Sequence, residues 1–561
     1  MSTVAECVVQ EAMARGNRHI FGIPGGGPGL SLVSAAHRAG CRFVLVNNEA
    51  TAAMAASAYG QCVGAPGVCF GIQGTGGGNM VGGIVVSYLE RGPVVALTDR
   101  YSDEMLGQVK LQEAHLARVF GPIVKGSMML QPASARTTLR SAFDLAWAER
   151  PGPVHLDFPV DVADQQAVRQ ESEAMAPTSA LIAPPLTSED VKPAARALRN
   201  ADRLVVIVGT DALRANAGSE ILRLVERQRA VALASWRARG VFPEDHPRYG
   251  ATFYGNFVPE TCEMDFLAEA DLIVLAGVDP VEISRPWPAD IPVLQLHLSP
   301  ELDEACPSAG LKLYGPLKRS LGLLGECDAG PAGFSEHEVQ TVRESARARF
   351  APPAGDSLPA QDVMLCARKL FPRRGILVQE TGIYNVLNEH IWTVHEAGTY
   401  VSTGGSRTMG AAIPWAIGTA LARPDKPVMA FSGDGGFLMR LQELEVVARM
   451  GLKVVFVIFD DGQLGTIQAR RVGRGIEAPG LAFGPVDFSA IAEGFGLRAA
   501  TVDRLDQFQV ALKRALAADR ATVIDVKLDS ASYMSLFPRM LGTASPLRRM
   551  NTAEGESCEA N

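Results

Sequence analysis

Ser432-Gly433-Asp434-Gly435-Gly436-Phe437 decides how the chain is read. Before it, Val428–Phe431 is an apolar run of strand length, and the glycines make a tight turn at its C-terminal end. After it, Leu438, Leu441, Leu444 and Val447 recur at the spacing of one helix face. This predicts a helix over Leu438–Met450, stopped by Gly451. A second apolar run, residues 453–459, then ends on Asp460-Asp461-Gly462. In such a strand–helix–strand unit, Asp434 and Asp461 fall at the C-terminal ends of neighbouring parallel strands, where open α/β sheets bind ligands. Glycine turns let N–H groups approach a phosphate, and the following helix turns its positive end towards it. Two carboxylates beside a phosphate repel it unless a divalent cation lies between them. Hard oxygen ligands and a diphosphate suit Mg²⁺. A lone Gly-Asp-Gly reads more readily as an ordinary α/β turn with solvated aspartates; the second aspartate, at the matching strand end, reverses that in favour of the metal.

The whole sequence sets limits around this motif. Its 561 residues suffice for three to four domains at roughly 150 residues each. With 47% hydrophobic and 20% charged residues, the composition is that of a soluble globular protein with several cores. A net charge of -8 argues against a nucleic-acid partner and against a basic membrane-binding face. No apolar run is long enough to span a bilayer, and the start, Met1-Ser-Thr-Val-Ala-Glu6, lacks the basic and apolar regions of a signal peptide. Nine cysteines, an odd number without a Cys-x-x-Cys pair, read as buried reduced thiols in a cytoplasmic protein.

Strand and helix signals alternate through residues 1–175. They predict helices over Val4–Ala14, Ala50–Tyr59 and Met80–Leu89, and strands at His19–Gly22, Phe43–Val46, Gly67–Gly71, Pro93–Leu97 and Val154–Phe158. Two glycine stretches, Pro24-Gly25-Gly26-Gly27-Pro28 and Gln73-Gly-Thr-Gly-Gly-Gly-Asn79, read as loops at strand ends. Ala174–Pro185 reads as a linker. A second α/β domain covers 188–325, with strands at Arg203–Val208, Val231–Ala234, Leu272–Leu275 and Val293–Leu296. Gly330–Pro359 reads as a second linker with a charged helix. The third domain covers 360–540, and 541–561 is a polar tail. The expected fold is α/β, with three Rossmann-like domains built on parallel sheets.

Gly433-Asp434-Gly435, a helix, and an acidic pair after the next strand resemble the thiamine diphosphate motif of the decarboxylase and acetolactate synthase family. The resemblance implies thiamine diphosphate with Mg²⁺ held by Asp434, Asp461 and the backbone carbonyl of Gln463. It also implies cofactor contacts from Gly433, Gly435, Gly436, Leu464 and Gly465. The family usually ends this motif Asn-Asn, whereas this chain has Asp460-Asp461, so one more negative charge is expected. Glu49 lies in Val44-Leu-Val-Asn-Asn-Glu49-Ala-Thr-Ala-Ala-Met-Ala-Ala56. By position it is an acid in the first turn of a helix, where acids are common. The resemblance assigns it the hydrogen bond to N1′ of the cofactor's aminopyrimidine ring, a carboxyl that shares a proton. Met409, in Ser402-Thr-Gly-Gly-Ser-Arg-Thr-Met-Gly410, falls where the family places a large apolar side chain beneath the bent cofactor. The Arg407 carbonyl falls where the family contacts the 4′-amino group. Glu380-Thr381-Gly382 resembles a diphosphate-side loop. In the family, Glu49 of one chain meets the metal loop of another, which implies a homodimer or homotetramer with active sites at the subunit interface.

The expected substrate is a small 2-oxo acid, decarboxylated and ligated to a second carbonyl as in acetolactate synthases. One alternative is a non-oxidative decarboxylase that releases an aldehyde, as in benzoylformate or indolepyruvate decarboxylases. A remoter one is a non-catalytic binding homologue. Gly25 and Gly26 match the glycine loop of acetolactate synthases, and that loop offers no histidine. Gln112 matches a glutamine near the reacting carbon of carboligating members, although an exposed helix glutamine would read the same. Ile467 stands where pyruvate decarboxylases have an acid that helps protonate the intermediate, and an apolar residue there favours ligation. Ala276-Gly-Val-Asp-Pro-Val-Glu-Ile-Ser-Arg285 lacks the arginine-rich stretch of flavin-containing acetolactate synthases, so no FAD is expected. Gln73-Gly74-Thr75 replaces the usual Ser-Gly-Pro, and Asn47-Asn48 replaces Arg-His, which leaves the donor acid open. Arg470, Arg471 and Arg474 read as solvated surface or as a lid over a substrate carboxylate or phosphate.

Overall fold

The computed structural model describes residues 2–168, 186–259, 261–287, 291–300, 309–352, 357–530, 534 and 536; the expected linker Ala174–Pro185 and the tail 541–561 lie outside them. Three six-stranded sheets organise the described residues, and every strand pair in them is parallel. The first holds β1 (His19–Gly22), β2 (Arg42–Leu45), β3 (Gly67–Gly71), β4 (Val94–Arg100), β5 (Ser127–Met129) and β6 (Pro153–Pro159). The second holds β7 (Leu204–Val208), β8 (Val231–Ser235), β9 (Tyr249–Phe253), β10 (Leu272–Ala276), β11 (Val293–His297) and β12 (Leu311–Tyr314). The third holds β13 (Ile376–Gln379), β14 (Tyr400–Ser402), β15 (Val428–Gly433), β16 (Val454–Asp460), β17 (Arg498–Val502) and β18 (Thr522–Lys527).

The outer sheets share one topology: β2-β1-β3-β4-β6-β5 in the first and β14-β13-β15-β16-β18-β17 in the third. The middle sheet runs β12-β11-β10-β7-β8-β9, which is the Rossmann order. Parallel sheets covered by helices on both faces need strands that are apolar throughout. The runs Leu204–Val208, Val428–Phe431 and Val454–Phe459 meet this requirement, each being buried along its whole length. The pairing Gly433↔Phe459 sets β15 and β16 level, so Asp434 and Asp461 follow at adjacent strand ends.

The first and third sheets share a core, because the helices Glu49–Val63 and Ala412–Ala422 pack directly on each other. Small side chains permit the approach. A Cβ at Gly418 would stand 2.2 Å from the Ala55 carbonyl oxygen. The middle sheet keeps separate cores on its two faces. The helix Glu336–Ala348 packs on the β9 edge of that sheet, and Phe334 and Val339 enter its core. The segment Gly330–Pro359, expected as a linker, is thus partly built into the fold.

Two helices differ from expectation. The continuous helix over Leu438–Met450 is instead three pieces, Asp434–Leu438, the 3₁₀ turn Leu441–Glu443, and Leu444–Arg449. The break falls at Arg440, whose φ of -140° leaves the helical region, and next to it the buried Glu443 accepts the Asn47 backbone N–H at 3.1 Å. A carboxylate tied to the first domain interrupts a periodicity that side-chain hydrophobicity alone would continue. The helix expected over Met80–Leu89 begins at Thr75, so the glycines expected in a loop form its first turns. Packing demands them there: a Cβ at Gly77 would stand 2.3 Å from Leu116. The unread strands β5, β9, β12, β14 and β17 all lie at sheet edges, and inner β18 is interrupted by the buried Asp525. Among the described residues no helix is long and apolar enough to cross a membrane.

Two glycines test this packing in opposite directions. Gly418→Ala forces a methyl group into the backbone of the facing helix and is expected to cost about 1–3 kcal/mol. Gly322→Ala, in the helix Leu317–Leu324 with open space around the new Cβ, is expected to add about 0.5–1 kcal/mol. Denaturant midpoints of the two variants read both signs.

Candidate active site

The third sheet gathers one group of residues at the C-terminal ends of its strands. Asp434 opens the short helix Asp434–Leu438 and is 5% exposed. Its Oδ1 accepts the Gly435 N–H at 2.7 Å, while its Oδ2 is buried without a hydrogen-bond partner among the described residues. Burial first, then the charges of Asp461 and Asp460, push its carboxyl well above the usual carboxylate range. Gly462 turns the chain after β16 at φ +70°, a left-handed conformation suited to glycine. The Gln463 N–H donates to Asp461 at 3.4 Å, and the Gln463 carbonyl accepts the Gly465 N–H at 2.9 Å. Leu464 donates its N–H to Leu481, and the helix Gly465–Arg474 follows with Arg470 and Arg474 exposed.

Met409 and Phe483 wall this turn: a Cβ at Gly435 would stand 3.1 Å from the Met409 methyl and 2.8 Å from the Phe483 ring. Arg407 holds φ +46°, and Thr381 donates its N–H to Thr408 across the gap to the Glu380-Thr381-Gly382 segment. The Glu380 side chain faces inward. One oxygen accepts the N–H groups of Ala411 at 2.6 Å and Ala412 at 3.1 Å, and the other accepts the Ser432 hydroxyl. This carboxylate therefore braces the start of the helix Ala412–Ala422 and the end of β15.

A cavity of about 260 Å³ opens beside these residues, lined by Asp434, Asp460, Asp461, Phe483, Phe488 and Lys527 among others. Asp460, expected as an extra negative charge, is paired with Lys527, its neighbour across the β16–β18 pairing. Lys527 also reaches Asp525 at 2.9 Å. Among the described residues no group of three or more His, Cys, Asp or Glu side chains is arranged to hold a metal ion. Two acids with an orphaned buried oxygen suit a hard cation that completes its shell with backbone and phosphate oxygens. The donor set thus fits Mg²⁺ with a diphosphate.

The first sheet gathers the second group. Asn48 caps the helix Glu49–Val63 by accepting the Ala50 N–H, which leaves Glu49 as its first residue, 6% exposed. Asn79 donates to the Glu49 carboxylate at 3.2 Å, and a Cβ at Gly76 would stand 3.0 Å from the same carboxylate. Gly25, at φ +61°, lies against Ile72. Gln112 holds φ +58° with its carbonyl oxygen 2.7 Å from where a Gly74 Cβ would be. It sits in an exposed turn. Gly26 has open space around it.

Four neighbours of these groups escaped the sequence reading. Asn79 and Phe483 are brought in by folding alone. Lys527 becomes relevant only through strand pairing. Asp99 had a visible signal, an acid one residue past the apolar run of β4. Its carboxylate accepts the Gln73 N–H, faces Gly27, and is pushed up to about 6 by burial.

Glu380 gives the site a pH signature. Burial raises its carboxyl from 4.5 to about 7, against the pull of its hydrogen-bond donors. A raised folded-state value means that the folded protein holds the proton more tightly than the unfolded chain. The resulting stability is complete below the unfolded value near 4.5 and is lost as pH rises through about 7. Glu380→Gln removes the titration, so its thermal midpoint is expected to fall less between about pH 5 and pH 8 than that of the parent.

Three family models match the chain in order. They describe the N-terminal TPP-binding domain of thiamine pyrophosphate enzymes over residues 2–118, the central domain over 191–324 and the C-terminal TPP-binding domain over 380–526. A protein of Methanocaldococcus jannaschii, named "Probable acetolactate synthase large subunit", is 27% identical over 97% of this chain and 95% of its own length. The acetolactate synthase of Bacillus subtilis is 25% identical, over 95% of this chain and 94% of its own. Among solved structures, the thiamine diphosphate-dependent 4-hydroxybenzoylformate decarboxylase of Rhodococcus jostii superimposes with a TM-score of 0.79 at 23% identity. That match covers 94% of this chain and 99% of the decarboxylase, and it establishes likeness of fold. With all three domain models matched in sequence order, the chain belongs to the thiamine pyrophosphate enzyme family.

Proposed function

We propose that this chain is an acetolactate synthase-like enzyme, dependent on thiamine diphosphate and Mg²⁺, that decarboxylates a 2-oxo acid and ligates the remaining fragment to a second carbonyl. The observation that carries the reading is the Asp434–Asp461 pair, two strand-end acids, one with a buried oxygen left without a partner. Asp434, Asp461 and the Gln463 carbonyl would hold the cation, with Gly433, Gly435, Gly436, Leu464 and Gly465 around the diphosphate. Met409 and the Arg407 carbonyl would support the ring side. Thr381 and Gly382 would line the diphosphate side, with Glu380 bracing them from within. What thiamine diphosphate supplies when bound is a nucleophilic carbon that retains the electron pair of the acyl fragment as CO₂ leaves. Glu49 would share a proton with N1′ of the aminopyrimidine ring, and Asn79 orients its carboxylate for that contact. Gly25, Gly26 and Gln112 would border the substrate.

Two half-sites imply two copies of the chain. Large apolar side chains are exposed on both outer domains: Leu30, Leu45 and Leu111 on the first, and Met439, Ile467 and Val472 on the third. Exposed apolar groups on both domains support a homodimer or tetramer in which one chain's Glu49 half closes on another's Asp434 half. A flavin-free middle domain is part of the proposal. In the Rossmann order a dinucleotide phosphate would sit at the helix after β7, and Glu282 already fills that place. Its carboxylate accepts the Thr210 N–H at 3.1 Å and 3.0 Å and the Ser235 hydroxyl.

A simple decarboxylase shares the same fold and cofactor chemistry. Ile467, on the helix directly after the metal turn and 45% exposed, favours ligation, because it offers no proton to the reacting fragment. An assay of the purified protein with pyruvate, thiamine diphosphate and Mg²⁺ is expected to yield acetolactate, with Glu49→Gln reducing turnover by about 10²-fold or more. Acetaldehyde without acetolactate would overturn the carboligase reading in favour of the decarboxylase. In the same assay Ile467→Glu is expected to shift product from the ligated acid towards free aldehyde; an unchanged ratio would remove Ile467 from the argument.

A further inference from the structure

The turn that carries Arg407 and Met409 is held from behind by the two domains that do not contain it. Glu90, at the C-terminal end of the helix Thr75–Leu89, is fully buried. One of its oxygens accepts both the Ser406 N–H at 2.6 Å and the Ser406 hydroxyl at 2.7 Å. Its other oxygen faces Arg237 of the middle domain at 3.7 Å, across a pair buried on both sides. The two glycines before Ser406 make the approach possible. A Cβ at Gly404 would stand 2.3 Å from the Trp236 ring, and one at Gly405 would stand 2.9 Å from the Leu89 carbonyl and 3.0 Å from Val281. Beyond the turn, the Arg407 side chain donates to Ser284 at 3.3 Å. The residue after Glu90 is committed the same way: Arg91 makes two 2.9 Å bonds to Asp279 of the middle domain.

Left-handed φ is unfavourable at a residue with a side chain, and Arg407 holds such a conformation. Within the turn its N–H bonds the Thr403 carbonyl at 2.7 Å, and from the other two domains Glu90, Arg237, Trp236, Val281 and Ser284 close around the turn. A buried ion pair contributes little net stability, since desolvation offsets attraction, but it fixes a unique geometry. Here it fixes the backbone of a turn that must present a carbonyl and a methionine to a ligand.

We propose that Glu90, together with Arg237, is a positioning residue for the 404–409 turn, and that bracing this turn is what the middle domain contributes to the active site. This rests on the cofactor reading above only for the identity of the ligand the turn faces. The experiment is hydrogen–deuterium exchange of the 403–410 peptide in the full chain, beside titration with thiamine diphosphate and Mg²⁺. Glu90→Gln is expected to raise exchange in this peptide about tenfold and to weaken cofactor binding by a similar factor. The double variant E90Q/R237M, which leaves no lone buried charge, keeps the test valid if the single variant folds poorly, and Ser406→Ala is expected to give a smaller rise. Glu149→Gln is the control. It breaks the Arg214–Glu149 ion pair, another contact between the first and middle domains, without touching the turn. Parent-like exchange at 403–410 in Glu90→Gln and the double variant would overturn the proposal, as would an equal rise in Glu149→Gln. If the parent itself does not bind thiamine diphosphate while exchange responds as expected, the cofactor reading fails and the positioning role stands.

Discussion

Parallel pairing of β15 with β16, in the register Gly433↔Phe459, forces two acids onto one sheet end. Strands buried on both faces cannot slip by one residue without exposing apolar side chains, so the juxtaposition of Asp434 and Asp461 is not adjustable. Burial first, and the charges of Asp461 and Asp460 after it, raise the Asp434 carboxyl, one of whose oxygens lacks a hydrogen-bond partner among the described residues. Much of the surroundings follows from that. Lys527 offsets Asp460, and both line the same cavity as Asp434 and Asp461. Glu380 occupies the inner side of the turn and keeps the glycine backbone in place from below.

The other strand-end group is built by a different device. Glu49 starts a helix made almost wholly of small residues, and that helix is the surface on which the first and third sheets meet. The side chains that allow the close helix contact therefore also place the carboxylate, since both are set by one rigid element. Glycines on the facing helix bring Gly76 and Asn79 against the carboxylate. Rigid placement of a proton-sharing group on a helix end, with a hydrogen-bonding neighbour to orient it, is what acid–base chemistry needs.

The middle domain has the strand order of a dinucleotide-binding fold and has turned its ligand end inward. Glu282 caps the helix where a phosphate would bind, and Asp279 is consumed by Arg91. Arg214 and Arg237 of the same domain reach Glu149 and Glu90 of the first domain. At that strand end a carboxylate holds the turn, and a neighbouring carboxylate joins this domain to the first.

Sequence alone determined the parallel α/β architecture, because long apolar runs ending in glycine turns admit few other folds. It also placed Asp434, Asp461 and Glu49 at strand or helix ends, since each follows an apolar run within two or three residues, where the chain must turn. Elements with a half-covered or interrupted apolar pattern were not legible: the edge strands β5, β9, β12, β14 and β17, and β18 with its buried Asp525. Nor was the break at Arg440, since it depends on Glu443 reaching a backbone N–H nearly four hundred residues away. Only tertiary structure decided the inward direction of Glu380, the pairing of Asp460 with Lys527, and the seat of the Ser406 turn on Glu90 and Arg237. Each of these joins residues far apart in the chain through a charged side chain. A local pattern records which residues are apolar and where the chain turns, but a buried charge finds its partner only when the sheets have come together.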